Sequence, residues 1–385
     1  LALAVRNNGV SDFPLCNKGA YMPQLSYIFF TFGRYCGLCG SVPQPLLSER
    51  GRIMGKNLDW LKNLAVTVVA LGAVVTAVGF VPRDAGYDYT VGIVQLVRHT
   101  ALDSATQGFT DELQSLMEEA GKTVKIDYQD AQNDTVNCSV IANNFVAKGY
   151  DLIMANATAA LQASYNATET IPVLGTSVTV YDVALGLDNY VSGEGTGTNV
   201  SGTSDLAPLS EQADMIAELV PEARKVGLLY CSSEANSRYQ VEEVKRCLEE
   251  RNEGYECTLY AFSDSNDISA VVQQMAAQSE VVYVPTDNTV ATNTQLIDSI
   301  CRPAGIPVIA GEEGICSGCG IATLSISYEN LGRITAGIAA RILLGGEYVG
   351  DIPIAYDEAP VRKYNAEICE ELGIEIPDGY EPISA

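Results

Sequence analysis

The sequence predicts an α/β fold in which two doubly wound, parallel-sheet lobes are joined by hinge crossovers. Three observations carry that expectation. At 385 residues the chain is longer than one ordinary hydrophobic core. Beyond Tyr87, short and continuously apolar runs alternate with segments whose apolar residues recur at helical spacing, as in a parallel sheet covered on both faces. The pattern also repeats. Val-Gly-Ile-Val at Val91 answers Val-Gly-Leu-Leu at Val226, and Ile171-Pro172-Val173 answers Ile306-Pro307-Val308, both at an offset of 135 residues.

Taken in order, Tyr89–Val97 reads as a strand. Phe109, Leu113, Leu116, Met117 and Ala120 follow on one helix face, stopped by Gly121. Val124–Tyr128 is a second strand, Ile141, Phe145 and Val146 mark a second helix, and Asp151–Ala155 is a third strand. The second module repeats this with a helix (Val241, Val244, Leu248), the strand Tyr255–Phe262, a helix (Ile268 to Met275) and the strand Glu280–Val284. Between the modules, Ser192–Gly202 is rich in Gly and Thr. Thr198 stands where a dinucleotide fingerprint needs its third Gly, so the segment reads as a flexible crossover. The strand Ile321–Ile326, a helix over Asn330–Leu344, an extended stretch at Ile352–Tyr356 and a helix near Ala366–Leu372 exceed what the second module needs. The chain is therefore expected to return to the first lobe and cross again. That gives one lobe from 88–202 plus 322–349 and another from 203–321 plus 350–385.

Charge divides the chain differently. Residues 1–83 hold 8 Lys/Arg against 3 Asp/Glu, whereas residues 84–385 hold 15 against 45. So acidic a body excludes a sequence-independent nucleic-acid binder, whose affinity comes from cations set against phosphates. With 47% hydrophobic and 18% charged residues, the chain is neither a disordered polymer nor a multi-span membrane protein. Leu64–Val81 has no charge and follows Lys56 and Lys62, the pattern of a signal peptide or membrane anchor over residues 54–83. Residues 1–53 show no sustained period and read as a non-native or unstructured extension.

Eight of the eleven Cys follow the export segment, an even number that permits disulfides without fixing their pairing. Cys316-Ser-Gly-Cys319 is open to redox, metal half-site, structural or free-thiol readings, and with His99 the only histidine a Cys/His zinc site is disfavoured. Cys36 and Cys39 lack a second ligand pair. No GxSxG elbow and no P-loop is present, and a Ser-His-Asp arrangement would need His99 near Asp103, so no enzyme, metal or cofactor is expected.

In parallel sheets ligands bind beyond the carboxyl ends of the strands. Gln95 opens the strand-end stretch Gln95–His99 after the first strand's apolar run. Thr158, Ala159, Thr176 and Ser177 at the first lobe's strand ends are small, hydroxyl-rich and uncharged. A helix starting after Thr158 would aim N–H groups at a carboxylate, or Thr158 is an ordinary N-cap. The second lobe offers Glu234, Asn236, Asp287, Asn288, Glu312 and Glu313. Its acids are either acceptors for an ammonium or solvated loop acids. Hydroxyls on one lobe and acids on the other suit a zwitterion that cross-links the two.

The stretches VGIVQLVRHTALD at Val91, IDYQDAQND at Ile126, LLYCSSEANS at Leu228, VYVPTDNTVA at Val282 and IPVIAGEEG at Ile306 resemble the substrate-binding proteins of ABC importers, in the branch associated with aromatic amino acids. The resemblance runs from about Val91 to Leu372. It implies a type I periplasmic-binding-protein fold, a free amino acid as ligand, and Asp287 and Glu313 as partners of its amino group. It further implies an ABC permease and ATPase as partners, export from the cytoplasm, and attachment to the membrane through the N-terminal segment. Many members carry a lipid-modified Cys after the signal, and this chain departs there, its next Cys being Cys138. The same fold also serves sensors that present their ligand state to a membrane receptor or kinase, which is the alternative role.

Overall fold

The structure, a computed structural model, describes residues 86–383 apart from 189, 358 and 359. The export segment, the preceding extension and the Cys36/Cys39 pair lie outside the described residues. Among the described residues no helix is long and apolar enough to cross a membrane.

The first lobe opens with β1 (Tyr89–Gln95), α1 (Thr100–Glu119), β2 (Val124–Asp130), α2 (Thr135–Lys148), β3 (Leu152–Asn156), α3 (Thr158–Ala167), β4 (Val173–Val178), the short α4 (Tyr181–Leu185) and β5 (Val200–Ser204). The chain then crosses. The second lobe runs through α5 (Leu209–Leu219), β6 (Lys225–Cys231), α6 (Ala235–Glu250), β7 (Glu256–Phe262), α7 (Ile268–Gln278), β8 (Val281–Val284), α8 (Asn288–Ala291), α9 (Thr294–Cys301), β9 (Val308–Ala310), α10 (Glu313–Cys319) and β10 (Ala322–Ser325). After a second crossing come α11 (Tyr328–Gly345) and β11 (Ala355–Tyr356). A third crossing leads to β12 (Val361–Tyr364), α12 (Ala366–Leu372) and β13 (Glu381–Pro382).

The first sheet has the order β11-β5-β4-β3-β1-β2, and all its pairs are parallel. The second has β13-β12-β10-β9-β8-β6-β7, parallel except where β12 runs against β10. The repeat read from the sequence is thus a repeat of topology: β1 and β6 hold equivalent positions, as do β4 and β9. Central strands such as Leu152–Asn156 and Val281–Val284 are buried at every residue, as strands covered on both faces must be.

The lobe boundaries differ from expectation by one strand. Ala322–Ser325, assigned by the sequence to the first lobe, pairs with β9 in the second sheet. Residues 350–356, assigned to the second, belong with the first, where β11 pairs with β5 and Ile352 and Ile354 enter the core. The crossings fall at 205–208, at 326–327 and between Tyr356 and Val361, because a strand must finish pairing before the chain can leave its sheet. The long helix does return: α11 packs on α1 in the first lobe. A Cβ on Gly108 would stand 2.2 Å from the Glu329 carbonyl oxygen, and one on Gly332 would stand 2.1 Å from that of Ala105, so two glycines allow this close crossing.

Ser192–Gly202 is not the hinge. Its end is β5, and Gly195 bridges to Pro353 at the amino-terminal edge of the sheet, opposite the strand ends that face the second lobe. A Cβ at Gly195 would lie 2.1 Å from the Gly350 carbonyl oxygen. Glycine serves close packing there, which composition alone cannot distinguish from flexibility. The eight described cysteines are all free thiols. Burial raises Cys316 and Cys319 well above the ordinary thiol range, which removes the thiolate that redox exchange needs.

Candidate functional site

The strand ends of the two sheets meet across a cleft of about 290 Å³. Thr158, Ala159 and Gln162 of α3 and Asn133 after β2 line it from the first lobe. Glu234, Asn236, Asn288 and Thr289 line it from the second.

On the first lobe the backbone is held in unusual conformations. Ala157, just before α3, has φ 88° and ψ 158°, and Ser177 near the end of β4 has φ 54°. Left-handed backbone at residues with a side chain costs roughly 1–3 kcal/mol and persists only where the surroundings enforce it. Both positions adjoin hydroxyls without partners. Thr158 Oγ1 and Ser177 Oγ are buried and make no hydrogen bond, and the same is true of Asn156 Oδ1. Since the first helical turn has N–H groups with no intrahelical acceptor, the start of α3 and these hydroxyls form a neutral, donor-rich corner.

Other first-lobe candidates serve the frame. Gln95 is fully buried: its Nε2 donates to the Val97 carbonyl oxygen at 2.9 Å and to Asp103 Oδ1 at 2.7 Å, and its Oε1 accepts from Thr106 at 2.6 Å, tying β1 to α1. Thr176 Oγ1 lies 3.1 Å from Thr203 Oγ1 inside the sheet.

The second lobe's acids are not free, and Glu234, Asp287 and Glu312 are buried as well. Asp287 is 1% exposed. Its Oδ2 accepts from the Cys231 N–H at 2.7 Å and its Oδ1 from the Val290 N–H at 2.9 Å, so it caps α8 and pins β6. It does not line the cleft. Burial, followed by the nearby charge of Glu234, raises it to about 8. Glu312 caps α10 through the Gly314 and Ile315 N–H groups, both at 2.6 Å. Glu313 faces a separate cavity of about 500 Å³, where Lys363 Nζ at 2.7 Å and Ser325 Oγ at 2.6 Å hold it. Asp287 and Glu313, the two residues the resemblance offered for an amino group, are thus engaged within their own lobe. A strand-end acid is as useful for capping the next helix as for meeting a ligand, and the sequence pattern is the same for both.

Glu234 does line the cleft, although its oxygens are occupied. Oε2 accepts from the Asn288 N–H at 3.0 Å and Asn288 Nδ2 at 2.8 Å; Oε1 accepts from the Thr289 N–H and Thr289 Oγ1, both at 2.9 Å. Asn236 Nδ2 donates to the Thr286 carbonyl oxygen at 2.9 Å.

Sequence reasoning missed Asp205. It follows β5 directly at the first crossing and is 3% exposed. Its N–H donates to the Val178 carbonyl oxygen at 3.3 Å, which places it one residue from Ser177 across the sheet. Oδ2 accepts from the Tyr328 hydroxyl at 3.0 Å, while Oδ1 has no hydrogen bond of good geometry, although the Thr179 side chain stands beside the carboxyl and favours its charged form. Burial raises its carboxyl above the ordinary range. Little in the sequence marks it, because the strand before it, Val200–Ser204, reads VSGTS and carries one apolar side chain. Among the described residues no cluster of His, Cys, Asp and Glu is suited to hold a metal ion.

Residues 90–381 match the family model of the ABC transporter substrate binding proteins. A tyrosine-binding protein of Clostridioides difficile strain R20291 is 38% identical over 271 residues, covering 70% of this chain and 77% of that protein. A Streptococcus pneumoniae ABC domain solved in complex with L-Trp superposes with a TM-score of 0.71 at 30% identity, covering 77% of this chain and 99% of its own. A ligand-free, open substrate-binding protein with adhesive properties from Clostridium difficile gives 0.59 at 35% identity, over 77% of this chain and 99% of its own. The family match over most of the chain, on two parallel-sheet lobes that converge on one cleft, shows that this chain belongs to the ABC transporter substrate-binding proteins.

Proposed function

We propose that this protein captures a free amino acid, with aromatic side chains foremost, between its lobes outside the cytoplasm and delivers it to an ABC permease and its ATPase. The observation that carries the reading is the buried, unpartnered hydroxyl of Thr158, which lines the cleft at the start of α3, with a second such hydroxyl at Ser177 near the end of β4. Burying a hydroxyl without a partner costs roughly 1–3 kcal/mol, and a ligand carboxylate would offset that cost with charge-assisted bonds. The ammonium group is assigned to Asp205, which like Asp287 is not among the residues lining the 290 Å³ cleft but stands one residue from Ser177 across the sheet, where a cation relieves a desolvated carboxylate. A cleft of about 290 Å³ stands at the lower end of the ~300–1,000 Å³ of small-ligand sites, a size suited to one amino acid. The tyrosine-binding relative and the relative complexed with L-Trp support an aromatic side chain. The N-terminal basic and apolar pattern supports export.

Screening the full chain by melting shift against the twenty amino acids, with purines and sugars beside them, tests this reading. Stabilisation by tyrosine, tryptophan or phenylalanine is expected. Stabilisation by a sugar and by no amino acid would contradict it.

A further inference from the structure

We infer that Glu234 is a positioning residue for lobe closure, acting through Asn288 and Thr289 rather than by touching the ligand. The inference rests on the reading that binding proceeds by closure on an amino acid.

The geometry runs from the second lobe outward. Glu234 occupies the N-cap position of α6, yet its side chain caps none of that helix's backbone N–H groups. Both oxygens instead reach α8, where they accept from the backbone N–H and the side chain of Asn288, and likewise of Thr289. Those two side chains are the ones that cross the cleft. Asn288 Oδ1 lies 3.1 Å from His99 Nε2, and Thr289 Oγ1 accepts from Asn133 Nδ2 at 3.3 Å. Glu234 fixes each in the orientation the crossing needs. Because the carboxylate takes the Asn288 amide hydrogens, Oδ1 is left to face His99. Because Thr289 Oγ1 donates its only hydrogen to Glu234, it can serve Asn133 only as an acceptor. One buried carboxylate thus sets the polarity of two interlobe bonds. His99, which no catalytic arrangement uses, finds its role as a donor in this clasp.

The test measures dissociation of L-tyrosine from the full-length protein by stopped flow, in H99A, N288A, the H99A/N288A pair and E234Q. Gln at 234 puts an NH₂ donor against α8's own donors. Closure residues alter dissociation more than encounter. H99A and N288A are each expected to speed release about 10-fold, and the pair no more than the larger single change, since both remove one bond. E234Q should speed release at least as much as N288A while the melting temperature of the ligand-free H99A protein stays at the wild-type value. A pair whose effect equals the product of the singles would overturn the clasp, as would rapid release in E234Q alone with N288A and H99A unchanged. If wild-type protein binds neither L-tyrosine nor L-tryptophan, the amino-acid reading fails by itself. The clasp is then decided by small-angle scattering of the ligand-free chain. Expansion in N288A and E234Q relative to wild type supports it, and identical scattering curves overturn it.

Discussion

The two lobes share one strand order, but their strand ends carry opposite chemistry. The first carries buried hydroxyls without partners, next to backbone held at positive φ, and one carboxylate oxygen of Asp205 without a hydrogen bond of good geometry. In the second, Glu234, Asp287, Glu312 and Glu313 are all engaged, three of them by helix-capping N–H groups. Strain and unmet hydrogen bonds are costly, and at Thr158, which lines the cleft, a ligand can meet them. Satisfied acids rigidify instead. On the proposed reading, the first lobe receives the ligand and the second closes over it.

The largest expected effect breaks that contrast at Asp205. Asp205→Asn keeps the size of the residue and removes the charge, and a charge-assisted bond is worth roughly 1.5–3 kcal/mol. Amino-acid affinity should fall about 10- to 100-fold by calorimetry. Because the carboxyl is raised by burial and must be ionised to accept an ammonium, wild-type affinity should begin to fall on acidification above the ordinary carboxylate range. That early fall should be absent from the variant.

Asp287→Asn tests the other side. Asn cannot accept from both the Cys231 and Val290 N–H groups, so stability should drop by about 1–3 kcal/mol, with a much smaller change in affinity than Asp205→Asn produces. The unfolded chain ionises this residue near pH 4, while the folded protein keeps the proton up to about 8. Folding therefore takes up a proton across that window, and the contribution of Asp287 to stability declines as pH rises from about 4 to 8, by at most about 1.4 kcal/mol per pH unit. Denaturant melts of wild type and variant at pH 5, 7 and 9 should differ by that slope. Equal slopes would remove Asp287 as its source.

Smaller effects sharpen the picture. Ser177→Gly relieves the positive φ and removes an unpartnered hydroxyl, so the ligand-free protein should melt higher while affinity falls by roughly 1 kcal/mol. Mildest of all, thiol labelling of the native protein should reach the half-buried Cys247 and Cys257 first. The buried Cys316 and Cys319 should label only on unfolding.

Fold and repeat were legible in the sequence because both rest on apolar periodicity, which the core enforces. Val91 and Val226, Ile171 and Ile306 mark equivalent strands at one offset, and no local chemistry competes with that signal. Thr158, Ser177 and Glu234 were legible as strand-end positions. Their partners were not, since the sequence does not say whether a carboxylate turns to its own helix, to a neighbouring one or to solvent. Glu234 looked like a ligand acid and holds α8. Asp287 looked better still and is capped inward. Asp205 was passed over because a Gly/Thr-rich segment hid the strand before it, and Thr289 and Asn133 acquire meaning only once the lobes face each other.

The central claim is that the first lobe reads the ligand's carboxylate through Thr158, Ser177 and the start of α3. Calorimetry of the full chain with L-tyrosine and with tyramine, which lacks the carboxylate, addresses it directly in wild type and Thr158→Val. Tyramine should bind wild type at least about 100-fold more weakly, in keeping with the loss of charge-assisted bonds. Thr158→Val should weaken L-tyrosine about 5- to 10-fold and leave tyramine unchanged. Equal affinities for L-tyrosine and tyramine, or an equal loss for both in Thr158→Val, would contradict the assignment.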